Sequence, residues 1–185
     1  MFNYRVLTSL ILALPLSTGV LADELILSSP DIAQGQKLTE QQVFNGFGCT
    51  GENQSPSLQW QGAPANTKSF AVTVFDPDAP TGSGWWHWVV FDLPSTTNNL
   101  SRNAGSLDMN SLPKGAIQSR TDFGNAAFGG ACPPKGDVPH RYIFTVWALD
   151  VEKLGPDANA SAAMVGFMLN QHKLSSSTIE AWYHR

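Results

Sequence analysis

Three side chains, Asp76, His87 and His140, stand at points where strands should begin or end, and together they could do chemistry. A carboxylate beside an imidazole favours the charged ring and orients it. Such a pair is either a donor for an anion or the acid and base of a hydrolase. Asp76 opens the run Asp76-Pro77-Asp78-Ala79-Pro80. Its two prolines fix φ and restrict the residues before them, so the loop is stiff enough to hold a carboxylate in place. The same run also reads as a simple turn with a capping Asp. His87 lies within Trp85-Trp86-His87-Trp88, just past the flexible tip at Gly82–Gly84. The short connection predicts antiparallel neighbours that bring His87 to Asp76. A third piece is Cys132-Pro133-Pro134-Lys135-Gly136, followed by His140-Arg141-Tyr142. Two histidines, a Tyr hydroxyl and loop N–H groups suit a phosphate or carboxylate. Arg141, of opposite parity to His140, is expected to pair with Asp76 or Asp78.

The elements that must position these groups are mostly strands. Ser69–Asp76, Trp86–Leu93 and Arg141–Leu149 are apolar runs of strand length. Strict alternation places Phe70, Val72, Val74 and Asp76 on one face of the first. It places His87, Val89, Phe91 and Leu93 together on the second, and His140, Tyr142, Phe144 and Val146 on the third. Leu25–Ser28, Leu58–Gln61 and Ala116–Gln118 read as shorter strands. One helix is predicted over 161–171, capped by Asn159 or Ser161, with Ala162, Val165 and Leu169 as its core stripe and Met164 and Met168 beside it in the core. Ser101–Leu112 reads as a long surface loop.

The 185 residues suit one domain, with residues 1–22 set apart as a secretory signal peptide and 23–185 as the folded unit. Arg5, the apolar run Val6–Leu16 and the Val20-Leu21-Ala22 cleavage pattern carry that reading. The apolar run is too short for a stable membrane span. Only 14% of residues are charged and the net charge is −4 without a basic run, which disfavours nucleic-acid binding. Cys49 and Cys132 read as one disulfide in an oxidising compartment, the alternative being two buried thiols. No Gly-x-Ser-x-Gly elbow or phosphate-binding Walker loop is present. Asp76 and His87 remain the acid–base pair of an alternative hydrolase reading. Zinc on Asp76, His87 and His140 lacks a local His pair, so no metal is assigned. The aromatics around Trp85, taken as exposed, leave a homodimer open.

In combination, Asp76–Pro80, Trp85–Trp88, Pro133–Gly136 and His140–Tyr142 resemble the phosphatidylethanolamine-binding protein family, which includes the Raf kinase inhibitor proteins. The stretch Cys49–Pro56 and the leader look most similar to its bacterial YbhB/YbcL branch, the periplasmic YbcL type in particular. The resemblance covers essentially all of residues 23–185. It implies a mainly β protein, a β-sandwich with one or two short helices. It also implies a small-anion pocket at Asp76, Pro80, His87, Cys132, Pro133, Pro134, His140 and Tyr142. The implied function is that of a periplasmic or secreted binding or regulatory protein without cofactor. Its ligand would be phosphate, a phosphomonoester or a head group; a protein partner whose enzyme activity or signalling step it modulates is left unidentified, with inhibition of a protease or kinase as an alternative reading. The sequence departs from animal members in having Trp86 for a second His and Cys132 for a Gly. No counterpart of their C-terminal helix is recognisable in Ser175–Arg185.

Overall fold

The computed structural model describes residues 24–185, so the signal segment read at 1–22 lies outside the described residues. In chain order the elements are β1 (Ile26–Ser28), β2 (Asn45–Gly46), β3 (Cys49–Thr50), β4 (Leu58–Gln61), β5 (Ser69–Asp76), β6 (Trp85–Pro94), β7 (Asn99–Leu100), β8 (Ile117–Gln118), β9 (His140–Leu149), α1 (Ala162–His172) and β10 (Lys173–Tyr183). A 3-10 turn covers Glu40–Gln42.

The three apolar runs become β5, β6 and β9 because only the middle of a sheet can bury both faces of such a strand. They form the centre of an antiparallel sheet ordered β10-β9-β5-β6-β8. A smaller sheet, β1-β4-β7, covers one face. Leu58 and Trp60 from the small sheet meet Phe70, Val72, Trp88, Val90 and Phe144 in the main core. Each such side chain contributes about 1.5–3 kcal/mol of burial. Helix α1 covers the opposite face, seating Ala162, Val165 and Leu169 on Ala71, Val89, Phe91 and Leu149. Ser161 caps it, its hydroxyl accepting the Met164 N–H. Met168 packs beside this cluster, but Met164 is 54% exposed, so the expectation of a wholly buried methionine face is corrected.

Alternation along β6 fails. Val74 pairs with Trp88 while Phe75 pairs with Trp86, so the ladder bulges at His87. A second irregularity separates Phe70↔Leu93 from Val72↔Val90. The first bulge turns two consecutive side chains, His87 and Trp88, to the sandwich side. Val89 and Phe91 face α1 instead, and Leu93 returns to the main core. The predicted common face of His87, Val89, Phe91 and Leu93 is therefore wrong, although His87 still points inward.

The strand β10 was not predicted. Its Lys-Leu-Ser-Ser-Ser-Thr opening has no apolar run, and only Ile179, Ala181 and Tyr183 alternate into the core. It pairs along β9 from Leu149 to His140. Residues 35–38 shield its outer edge through bonds such as Leu38 N–H to the Trp182 carbonyl, 2.8 Å. The strand therefore delivers Tyr183 opposite His140 and Arg185 just beyond it.

Candidate functional site

Asp76 ends β5, and the loop after it is tied to its side chain. Oδ1 accepts the N–H groups of Asp78 (2.8 Å) and Ala79 (3.1 Å). Gly84, at φ +71°, closes the connection where any Cβ would collide with the Phe75 ring. Arg141 fixes the loop from β9, its Nε and terminal nitrogen donating to the two Asp78 oxygens at 2.9 and 2.8 Å. Of the two acids predicted for Arg141, the structure selects Asp78. The Arg141 hydrogen bond holds the Asp78 carboxyl below its ordinary range.

The remaining oxygen of Asp76, Oδ2, lies 2.8 Å from Nδ1 of His140. Both groups are buried, with side-chain exposures of 4% and 1%. The Oδ2 of Asp137 takes Nε2 at 3.3 Å. Burial works against charge on His140, but hydrogen bonding and Coulomb attraction from Asp76, then Asp137, outweigh it and raise its pKa. With a carboxylate at each ring nitrogen, the geometry favours the doubly protonated, cationic form of His140.

The expected Asp76–His87 pair does not form. The Nδ1 of His87 lies 2.6 Å from the Gly129 carbonyl, and Gly129 N–H returns a 2.8 Å bond to the His87 carbonyl. Carbonyls only accept, which assigns the proton to Nδ1 and leaves Nε2 as an acceptor in the neutral ring. Burial pushes the His87 pKa down, and the Gly129 bond and the Asp76 and Asp122 charges do not reverse it. The two histidines are therefore not a positive pair.

Tyr142 packs edge-on against His87, ring centroids 5.0 Å apart. Burial holds its hydroxyl protonated, with the Asp76 charge adding to the effect. Beside the Cys132 backbone, that hydroxyl makes no hydrogen bond of normal geometry among the described residues.

These groups floor a cavity of about 180 Å³. Asp76, Pro80, His87, Cys132, Pro133, Pro134, His140 and Tyr142, the eight positions that the family resemblance implied, all line it. The Cys49–Cys132 disulfide ties the Pro133-Pro134 wall to the β2–β3 turn. Arg185 braces the same joint, donating to the carbonyls of Pro133 (2.6 Å), Gly48 (3.1 Å) and Phe47 (3.3 Å).

Sequence reasoning missed the rim. Phe47, Ala79, Thr81, Trp85 and Phe123 also line the cavity. Phe47 stacks on Phe123 at 5.9 Å and 12°, and Trp85 meets Phe123 edge-on. Trp85 is half-buried, its ring set edge-on against Phe123. The flanking Gly46 and Gly48 marked Phe47 as a turn aromatic; nothing local marked Phe123, Asp137 or Arg185. Among the described residues no group of three or more His, Cys, Asp or Glu could hold a metal ion, and no helix is long and apolar enough to cross a membrane.

A sandwich with a small polar-floored pocket at its strand ends is the frame of a binding protein. The phosphatidylethanolamine-binding protein family profile matches residues 28–184, and the chain belongs to that family. It is 57% identical over 157 residues to YbcL of Escherichia coli (strain K12), spanning 85% of this chain and 86% of that one. It is 54% identical to YbhB of the same organism, spanning 85% and 98%. The crystal structure of E. coli YbcL superposes with a TM-score of 0.86 at 56% identity, covering 88% of this chain and 99% of the other. A homologue from Chlamydia trachomatis (TM-score 0.73, 24% identity, 88% and 99% coverage) shares the fold.

Proposed function

We propose that this is an extracytoplasmic binding or regulatory protein whose pocket takes a small anionic group: phosphate, a phosphomonoester or a head group of that chemistry. One observation carries the reading. The buried His140–Asp76 pair, His87 and Tyr142, whose hydroxyl is unpartnered, all line one small cavity. Tyr142 offers a donor and His140 a ring whose cationic form is favoured by its two carboxylate partners. A phosphate that still carries a proton satisfies His87 by donating to Nε2, and a fully deprotonated one requires His87 to gain a proton. The apolar rim of Phe47, Trp85 and Phe123 suits whatever carbon group bears the anion. The signal-type leader and the Cys49–Cys132 bridge support a location outside the cytoplasm.

A protein partner could present the same anionic group on a side chain, with exposed Phe47 of the rim beside it, and the protein would then modulate that partner. Nothing favours the hydrolase alternative. Asp76 is committed to His140 rather than His87, and the lining hydroxyls are those of Thr81 and Tyr142. Titration with inorganic phosphate and phenyl phosphate, followed through the imidazole NMR signals of His87 and His140, tests the reading. Shifts at both rings are expected, and silence at both rejects the pocket.

A further inference from the structure

We infer that Asp137 is an internal competitor for this pocket: its carboxylate holds the His140 Nε2–H and must yield it to an entering anion. The inference rests on the anion-binding reading above. His140 has two N–H groups, and both are engaged. Asp76 takes Nδ1 from a carboxylate that is itself fastened by the Asp78 and Ala79 N–H groups and almost wholly buried. That partner cannot leave without unmaking the loop.

Asp137 is a different kind of partner. Its bond to Nε2 is 3.3 Å, long for a charge-assisted contact, and its side chain is 36% exposed. Its backbone is held, with N–H to the Pro134 carbonyl and Gly136 N–H to the Arg185 carbonyl. Releasing Nε2 therefore needs rotation of one side chain toward water, which also gives up its 2.9 Å bond to the Val138 N–H, but not movement of the loop. His87 offers no alternative charged donor, because its proton is given to Gly129. An anion on this floor gains an imidazolium N–H only by taking the place of Asp137. Every anion faces the same exchange, so the residue scales affinity down by a common factor.

The test uses the disulfide-bonded protein and calorimetric titration with inorganic phosphate and with acetate. Wild type is compared with Asp137→Asn and Asp137→Ala, the pair guarding against a folding defect in either. Asn retains an oxygen for the Val138 N–H that Asp137 now caps. Both variants are expected to bind both anions at least about threefold more tightly. The gain should persist at about 0.5 M salt, where a purely long-range Coulomb effect is screened away. No gain, or a gain confined to low salt, overturns the inference while leaving the pocket intact. If neither wild type nor variant binds phosphate, the anion-binding reading fails and the inference fails with it.

Discussion

The carboxylate of Asp76 and the imidazole of His140 are joined at 2.8 Å although 64 residues separate them, and both are shut off from water. The pair welds the end of β5 to the start of β9, which lie side by side in the sheet. Asp76→Asn keeps an oxygen for the Asp78 and Ala79 N–H groups but removes the charge. Stability should fall by about 1–3 kcal/mol, the His140 pKa should drop, and phosphate affinity should fall roughly tenfold. Denaturant midpoints, imidazole NMR titration and calorimetry measure the three effects; an unmoved His140 would contradict the pairing.

The two histidines should tilt stability in opposite directions with pH. The pKa of His140 is raised above 6.5, so its contribution is complete below that value and lost as pH rises through the folded pKa. The pKa of His87 is depressed, so its contribution is present above 6.5 and lost as pH falls from there toward the folded value. Urea midpoints between about pH 5 and 9 should show a flatter acid limb in His87→Asn and a flatter alkaline limb in His140→Gln.

Phe47 separates binding from stability. It is 69% exposed and sits at φ +52°, a conformation natural to glycine. Phe47→Gly should change stability by no more than about 1 kcal/mol in either direction. Phenyl phosphate should bind roughly three- to tenfold more weakly for loss of the ring, with inorganic phosphate little affected. An equal loss for both ligands would mean that Phe47 shapes the floor instead of the rim.

The Cys49–Cys132 bridge spans 83 residues. In the chain-entropy model such a loop contributes about 4.5 kcal/mol. Cys49→Ala with Cys132→Ala should lower the guanidinium midpoint accordingly and weaken ligand binding, because the Pro133-Pro134 wall then loses its covalent tie to the β2–β3 turn and keeps only hydrogen bonds such as those of Arg185 and Asp137. Unchanged binding in the double variant would show that these hydrogen bonds suffice.

The central strands were legible because β5, β6 and β9 are buried on both faces and must be written in apolar residues. The helix was legible through its Ser161 cap and its Ala162, Val165 and Leu169 stripe. The edge strand β10 was not, because an edge needs only one apolar face and Ser175–Ser177 resemble loop.

The sequence by itself placed Asp76, His87 and His140 at strand ends beside stiff proline loops, and the family resemblance added Pro80, Cys132, Pro133, Pro134 and Tyr142 to the floor, but the aromatic rim of Phe47 and Phe123 was not legible. Tertiary structure alone decided who bonds to whom. Alternation along a strand cannot reveal a bulge, and the bulge at His87 turns that ring to Gly129 and leaves Asp76 to His140. Nor does sequence spacing tell that Asp137 closes on His140, because hydrogen-bond partners across a sheet end are set by packing in three dimensions.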